Sequence, residues 1–280
     1  MKIVILTAFA LTAFAFNSIL CRMALATREI DAASFTVIRL VSGAATLLAI
    51  LLATGKTRSI RRSGNWTSAF FLLAYAIAFS FAYIGLTTGT GALILFGCVQ
   101  LTMFGVSLYG GFRPSALEWV GLVVAFGGLI YLVLPGLAAP PLVSALLMAT
   151  AGIAWGFYTL RGKGSEDPIA ETAGNFIRSV PMVFSVGLLF ISTYQLSVRG
   201  TILAVLSGAI ASGIGYSVWY AALKYHTPTR AGILQLSVPV IAAVGGILLL
   251  AEAASIRLLI AGALVLGGIA LTLVERDKSR

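Results

Sequence analysis

The chain has 280 residues, 59% of them hydrophobic and 10% charged, with a formal charge of +10 and a mean hydropathy of +1.02. A water-soluble domain carries about a quarter charged residues, so apolar surface on this scale needs lipid to cover it. The positive charge does not point to nucleic acid, because the basic residues lie in short gaps between apolar runs and form no patch interleaved with aromatics.

A spanning helix takes about 20 apolar residues, and the runs between polar, Gly or Pro breaks predict ten of them: 3–26, 32–54, 66–86, 90–111, 115–134, 141–160, 169–193, 200–224, 228–251 and 255–274. The first opens like a signal peptide. It continues to about Ala26 and has a counterpart later in the chain, which favours a retained helix. It carries Asn17, Cys21 and Arg22, and the second run carries Arg39. In the third, Tyr75, Phe79 and Tyr83 recur every four residues and form one stripe. The fourth holds Cys98 and Gln100; the two cysteines have neither disulfide nor metal-site spacing, and no cofactor is expected. Trp155 and Tyr158 share the sixth run, Arg178 and Pro181 the seventh, and Tyr216, Trp219 and Tyr220 the eighth. The ninth contains Gln235, Ser237 and Pro239. Trp66 and Trp119, near the starts of the third and fifth, suit an interfacial aromatic belt.

With a cytoplasmic N-terminus, the predicted inner gaps and ends hold 13 Lys and Arg and the outer gaps three, Arg28, Arg199 and Arg257. That bias places both termini inside. The runs also repeat. VIRLV around Arg39 matches FIRSV around Arg178, and each is preceded at 17 residues by another arginine, Arg22 and Arg161. FSFAY (79–83) matches YSVWY (216–220), and FGGLIYLV matches LGGIALTLV, all 137–140 residues apart. The chain reads as two five-span units, residues 1–136 and 137–280. An odd number of spans inverts the second unit, giving an all-α integral membrane protein with an inverted 5+5 repeat. Arg39 and Arg178 are equivalent positions near opposite faces. Each is expected to snorkel to its interface, with Glu29 or Asp31 near the first and Glu166, Asp167 or Glu171 near the second. Helix anchoring and gating are both open to them.

The residues AWGFYTLRGKGS (154–165) and LSVPVIAAVGGILLLAEAASIRLLIAGALVLGG (236–268) resemble the EamA-type exporters of the drug/metabolite transporter superfamily, with Pro239, Glu252 and Gly262 at the motif positions. The first half departs from the pattern: Phe16-Asn17 stands for Trp-Gly, Val99 for the proline and Phe112 near the glutamate. TLRGKGS and TAGNFIRS are most similar to the YddG-like amino acid exporters. The resemblance implies a basket of helices around a central cavity lined by the first, third, fourth, sixth, eighth and ninth spans. It also implies export of small metabolites across a bacterial inner membrane.

Read on those spans, Asn17, Tyr75, Phe79, Tyr83, Gln100, Trp155, Tyr158, Tyr216, Trp219, Tyr220, Gln235 and Ser237 are the candidate substrate-binding residues. Polar groups facing lipid would lose their hydrogen bonds, so they face a cavity or another helix. Pro181 and Pro239 each remove a helical donor and are either bending points or static kinks. Arg39 and Arg178 complete the gating candidates. Glu118 and Glu252 stand at span ends and His226 in a gap, so no carboxylate occupies a span centre. That argues for facilitated diffusion or weak coupling rather than a proton-driven pump. A neutral, ring-lined passage suits zwitterionic amino acids; efflux of drugs or cationic compounds is the alternative. No protease, hydrolase or paired-aspartate motif supports an enzyme. A monomer with the bilayer and a small solute as partners is the expectation.

Overall fold

In the computed structural model the described residues are 2–55, 63–111, 113–134, 139–162, 165–223, 225–226, 234–253 and 255–278. They form ten helices: α1 (Lys2–Ala26), α2 (Ala32–Ala53), α3 (Trp66–Ala82), α4 (Thr88–Tyr109), α5 (Ala116–Val133), α6 (Leu142–Gly162), α7 (Pro168–Leu189), α8 (Val198–Leu223), α9 (Ser237–Leu250) and α10 (Ile256–Lys278). α1, α2, α4, α5, α6 and α8 are long and apolar enough to cross a membrane; α3, α9 and Ile256–Leu271 of α10 are shorter apolar helices. α7 belongs to neither group, since Glu171, Thr172, Asn175 and Arg178 interrupt its apolar residues. The protein is therefore a multi-pass membrane protein, as many large apolar side chains on the outer surface also require.

Helix starts follow local chemistry. Asp31, Asn65, Asp167 and Ser197 accept the backbone N–H three residues on, at the N-termini of α2, α3, α7 and α8. At α5, Ser115 and Glu118 form a reciprocal capping box. Ser115→Ala is expected to cost about 1 kcal/mol, read as a lower thermal midpoint in detergent; an unchanged midpoint would contradict it. Several predicted ends shift. The third run stops at Ala82 because the chain turns over 83–85. The seventh ends at Leu189, followed by a 3-10 turn at Ile191–Thr193. The ninth is helical from Ser237, so Pro239 occupies the first turn, where no helical donor is lost; residues 227–233 of that run lie outside the described residues.

The packing is regular. α3 packs on α6 and α8 on α1; α4 packs on α6 and α9 on α1; α2 packs on α8 and α7 on α3. Adding five to both helix numbers of the first contact in each pair, with the count restarting at one after ten, gives the second. α2–α7, α4–α9 and α5–α10 map onto themselves. The α5–α10 contact explains the paired glycines. A Cβ on Gly128 would meet the Leu264 Cβ at 2.8 Å, and one on Gly268 would meet the Ala125 amide at 2.6 Å. Gly127 and Gly267 face open space.

α8 is not uniform. Its middle, Ser207–Ile214, is a π-helix between two α-helical stretches. Such widened turns recur at functional sites, and this one crosses α2 beside Arg39.

Candidate functional site

Six helices meet at the centre. α1 contributes Phe14 and Asn17, one helical turn apart and on one face. α3 contributes Tyr75 and Phe79, α4 Leu95 and Phe96, α6 Trp155 and α8 Tyr216. These eight residues line a space with room for about a single water molecule. Among the described residues this space falls far short of the solute-sized central cavity implied by the resemblance. The rings fill it themselves: Trp155 lies 4.7 Å from Tyr216 and 4.8 Å from Tyr75 between centroids, and Phe14 lies 5.6 Å from both Tyr216 and Trp219.

α2 brings Arg39 into the same cluster, with 1% of its surface exposed. Arg39 does not snorkel, and neither Glu29 nor Asp31 pairs with it. Its Nη2 donates to the Tyr75 hydroxyl at 2.9 Å and the Tyr216 hydroxyl at 3.1 Å, and its Nε to Ser212 Oγ at 3.2 Å. The guanidinium carbon sits 4.8 Å from the Phe79 ring centre and 5.2 Å from that of Tyr75. Ser207 and Ser212 in turn donate to Asn17 Oδ1 at 2.8 and 3.2 Å. A cation this far from water is costly, and three hydroxyls and two ring faces offset part of that cost. The neutral interior expected from the sequence is therefore corrected: it holds one buried cation.

Five candidates line the central space together: Asn17, Tyr75, Phe79, Trp155 and Tyr216. Trp219 joins through Phe14, Tyr83 through Phe79 at 4.8 Å, and Tyr158 through Trp155 at 5.4 Å. Tyr158 and Tyr220 line a separate small crevice with Glu171 and Asn175. The Tyr83 hydroxyl donates to the Thr88 carbonyl at the start of α4. Gln100 and Gln235 are buried but outside the central lining, and Ser237 bonds to the Leu234 carbonyl. α7 stays helical through Pro181, which is exposed. Arg178 donates to the carbonyls of Ser63 and Gly174, each at 2.9 Å, and not to Glu166, Asp167 or Glu171. Sequence reading missed Phe14, Leu95, Phe96, Ser207 and Ser212. Phe14 was findable from its one-turn spacing to Asn17.

The two ends of α3 are fastened differently. Beyond its C-terminus, Arg22 donates to the carbonyls of Tyr83 and Ile84 and forms an ion pair with Glu252 at 3.3 Å. Glu252 also accepts the Thr88 N–H at 2.8 Å, capping α4. Nearby, loop 27–31 meets loop 194–197 in a bridge between Ile30 and Leu196, and Glu29 forms an ion pair with Arg199 at the start of α8. At the N-terminus of α3, Arg161 donates to Ser68 Oγ and Asn65 Oδ1, and the Asn65 N–H donates to Asn175 Oδ1. Among the described residues no carboxylate joins this end.

Residues 142–274 match the EamA-like transporter family. The whole chain is 48% identical to the uncharacterized protein PA1977 of Pseudomonas aeruginosa over 275 residues, covering 98% of this chain and 96% of that one. The chain belongs to the EamA-like transporter family, its second half carrying the matching unit. An uncharacterized transporter of Archaeoglobus fulgidus is 28% identical over 169 residues, 59% of this chain and 60% of that one. A solved crystal structure shares the fold with a TM-score of 0.68 at 19% identity, over 96% of this chain and 99% of that one. This EamA-like protein is thus a transporter by family.

Proposed function

We propose that this EamA-like protein exports small amphipathic metabolites, foremost amino acids, across a bacterial inner membrane. Two five-helix halves, residues 1–136 and 137–280, inverted relative to each other and both with ten spans' worth of helix between them, would expose the centre to each side in turn. The exchange of packing partners between α1–α5 and α6–α10 supports the repeat. The Lys and Arg distribution supports cytoplasmic termini. The observation that carries the reading is the central cluster. Aromatic faces from five helices surround buried polar groups at the centre of the bundle. An amphipathic solute finds apolar and hydrogen-bonding partners there once the rings part. The clasps at the two ends of α3 act as gates, with Arg178 part of the one at its N-terminus.

Uptake of labelled amino acids into proteoliposomes tests this, with and without a pH gradient. Saturable flux above empty liposomes is expected, with no solute-driven pH change, since no carboxylate reaches the cluster among the described residues. Trp155→Ala is expected to lower flux at least about tenfold with expression intact, because Trp155 contacts Phe14, Tyr75, Tyr158 and Tyr216. Absence of flux for every amino acid, or wild-type flux in the variant, would count against the reading.

A further inference from the structure

Every group around Arg39 is neutral. Tyr75, Tyr216 and Ser212 take three of its N–H bonds, and the faces of Tyr75 and Phe79 flank it. Its remaining nitrogen, Nη1, is buried with no hydrogen-bond partner. The ion pairs among the described residues, Arg22–Glu252 and Arg199–Glu29, both lie at the Arg22 end and leave Arg39 without a counter-ion. A guanidinium buried in a pocket of low polarity normally has a carboxylate on its fork, because its geometry matches two oxygens at once. Here the protein withholds one. Four of the residues that touch Arg39 or its hydroxyl partners, Asn17, Tyr75, Phe79 and Tyr216, line the central space.

We propose that Arg39 is the docking point for a carboxylate on the transported solute, which supplies the missing counter-ion and occupies the unpartnered Nη1. The inference deepens the transport reading above and rests on it. The carboxylate takes Nη1 and shares Nη2, and the Tyr75 and Tyr216 hydroxyls, released as acceptors, turn to donate to it. The apolar body of the solute lies against Phe14, Phe79 and Trp155 after the rings separate. Organic monocarboxylates with an apolar body are the favoured class. Organic cations are excluded, because they would place like charge against Arg39. A monocarboxylate neutralises the positive charge of the empty centre, and an amino acid pairs its carboxylate with that charge while its own ammonium keeps the net charge positive; either way the solute supplies the missing partner.

Quenching of tryptophan fluorescence in the full-length protein in detergent reads binding, with Trp155 and Trp219 as reporters. Two series of probes differ only at the headgroup. One is L-phenylalanine, 3-phenylpropionate, L-phenylalaninamide and phenethylamine; the other is L-leucine, 4-methylpentanoate, L-leucinamide and isopentylamine. In at least one series the two acids are expected to bind at least about tenfold more tightly than the amide and the amine, the scale of one lost charge-assisted bond. Arg39→Gln is expected to erase that preference, and Arg39→Lys to keep part of it. If in neither series the acids bind more tightly than the amide and the amine, the proposal is overturned in the wild-type protein, with no variant needed. Binding by none of the eight would also overturn it. In either case, proteoliposome flux of any solute would leave the transport reading standing, whereas absence of all flux would remove both.

Discussion

Gly208→Ala is expected to cost this protein its folded state in detergent, while Gly105→Ala leaves the thermal midpoint within a degree or two. The two substitutions add the same methyl group. At Gly208 it would collide with the Arg39 carbonyl and Ser42 Oγ of α2; at Gly105 it meets nothing within 4 Å. Ser42 can rotate away, but the carbonyl belongs to a helix backbone. Gly43 on the facing helix is also hemmed in, by the Phe176 ring and the Gly208 carbonyl. Overpacking costs about 1–3 kcal/mol where side chains can adjust, and here a whole helix must retreat. Because α2 holds Arg39, the retreat would also stretch its bonds to Ser212 and Tyr216 on α8. Thermal unfolding followed by size-exclusion chromatography checks this. A monodisperse Gly208→Ala protein with the wild-type midpoint would show that α2 and α8 do not approach so closely.

Glu252→Ala is expected to destabilise by about 1–3 kcal/mol, the cost of leaving the half-buried Arg22 guanidinium and the Thr88 N–H without this acceptor. Glu252 does two things at once. It pairs with Arg22 and closes the N-terminus of α4, where Thr87 makes no side-chain cap bond. The helix dipole favours a carboxylate there. Ala251, in the left-handed region at φ 51°, ends α9 and turns Glu252 onto these partners. That conformation costs a non-glycine residue about 1–2 kcal/mol, a strain the two contacts offset. Glu252→Gln keeps an acceptor for Thr88 and should lose about half as much. Arg22→Ala combined with Glu252→Ala should cost less than the sum of the single changes. Additive losses would mean that the ion pair carries no weight.

Much of this architecture was readable from residues alone. Apolar runs located most helices to within about four positions, because polar, Gly and Pro breaks such as those before Trp66 and Ala116 end them; the ninth, helical from Ser237, starts well inside its run. The Tyr75–Phe79–Tyr83 stripe fell on one face because four-residue spacing fixes direction on any helix. The Gly-Gly landmarks of α5 and α10 marked a real contact, though only one glycine of each pair makes it. Arg39 was misread for a definite reason. As the eighth residue of an apolar run it looks close enough to an interface to reach water. What holds it inside are hydroxyls supplied by α3 and α8, 36 to 177 residues away, and no local pattern encodes them. The filled centre was equally hidden. The same rings line an open passage or close it, depending on how the helices lean. The π-helical turn of α8, which aims Ser212 at Arg39, leaves no trace in an apolar, small-residue stretch.

The Arg22–Glu252 bond has no ionic counterpart among the described residues at the other end of α3, where Arg161 meets only neutral oxygens. Under the proposed cycle, opening toward one side therefore takes more work than opening toward the other. Such a lopsided carrier waits longer facing one compartment, and the solute level giving half-maximal rate differs between the two faces. The imbalance supplies no driving force. Direction still belongs to the gradient, and the chain's own asymmetry shapes only the tempo on each side.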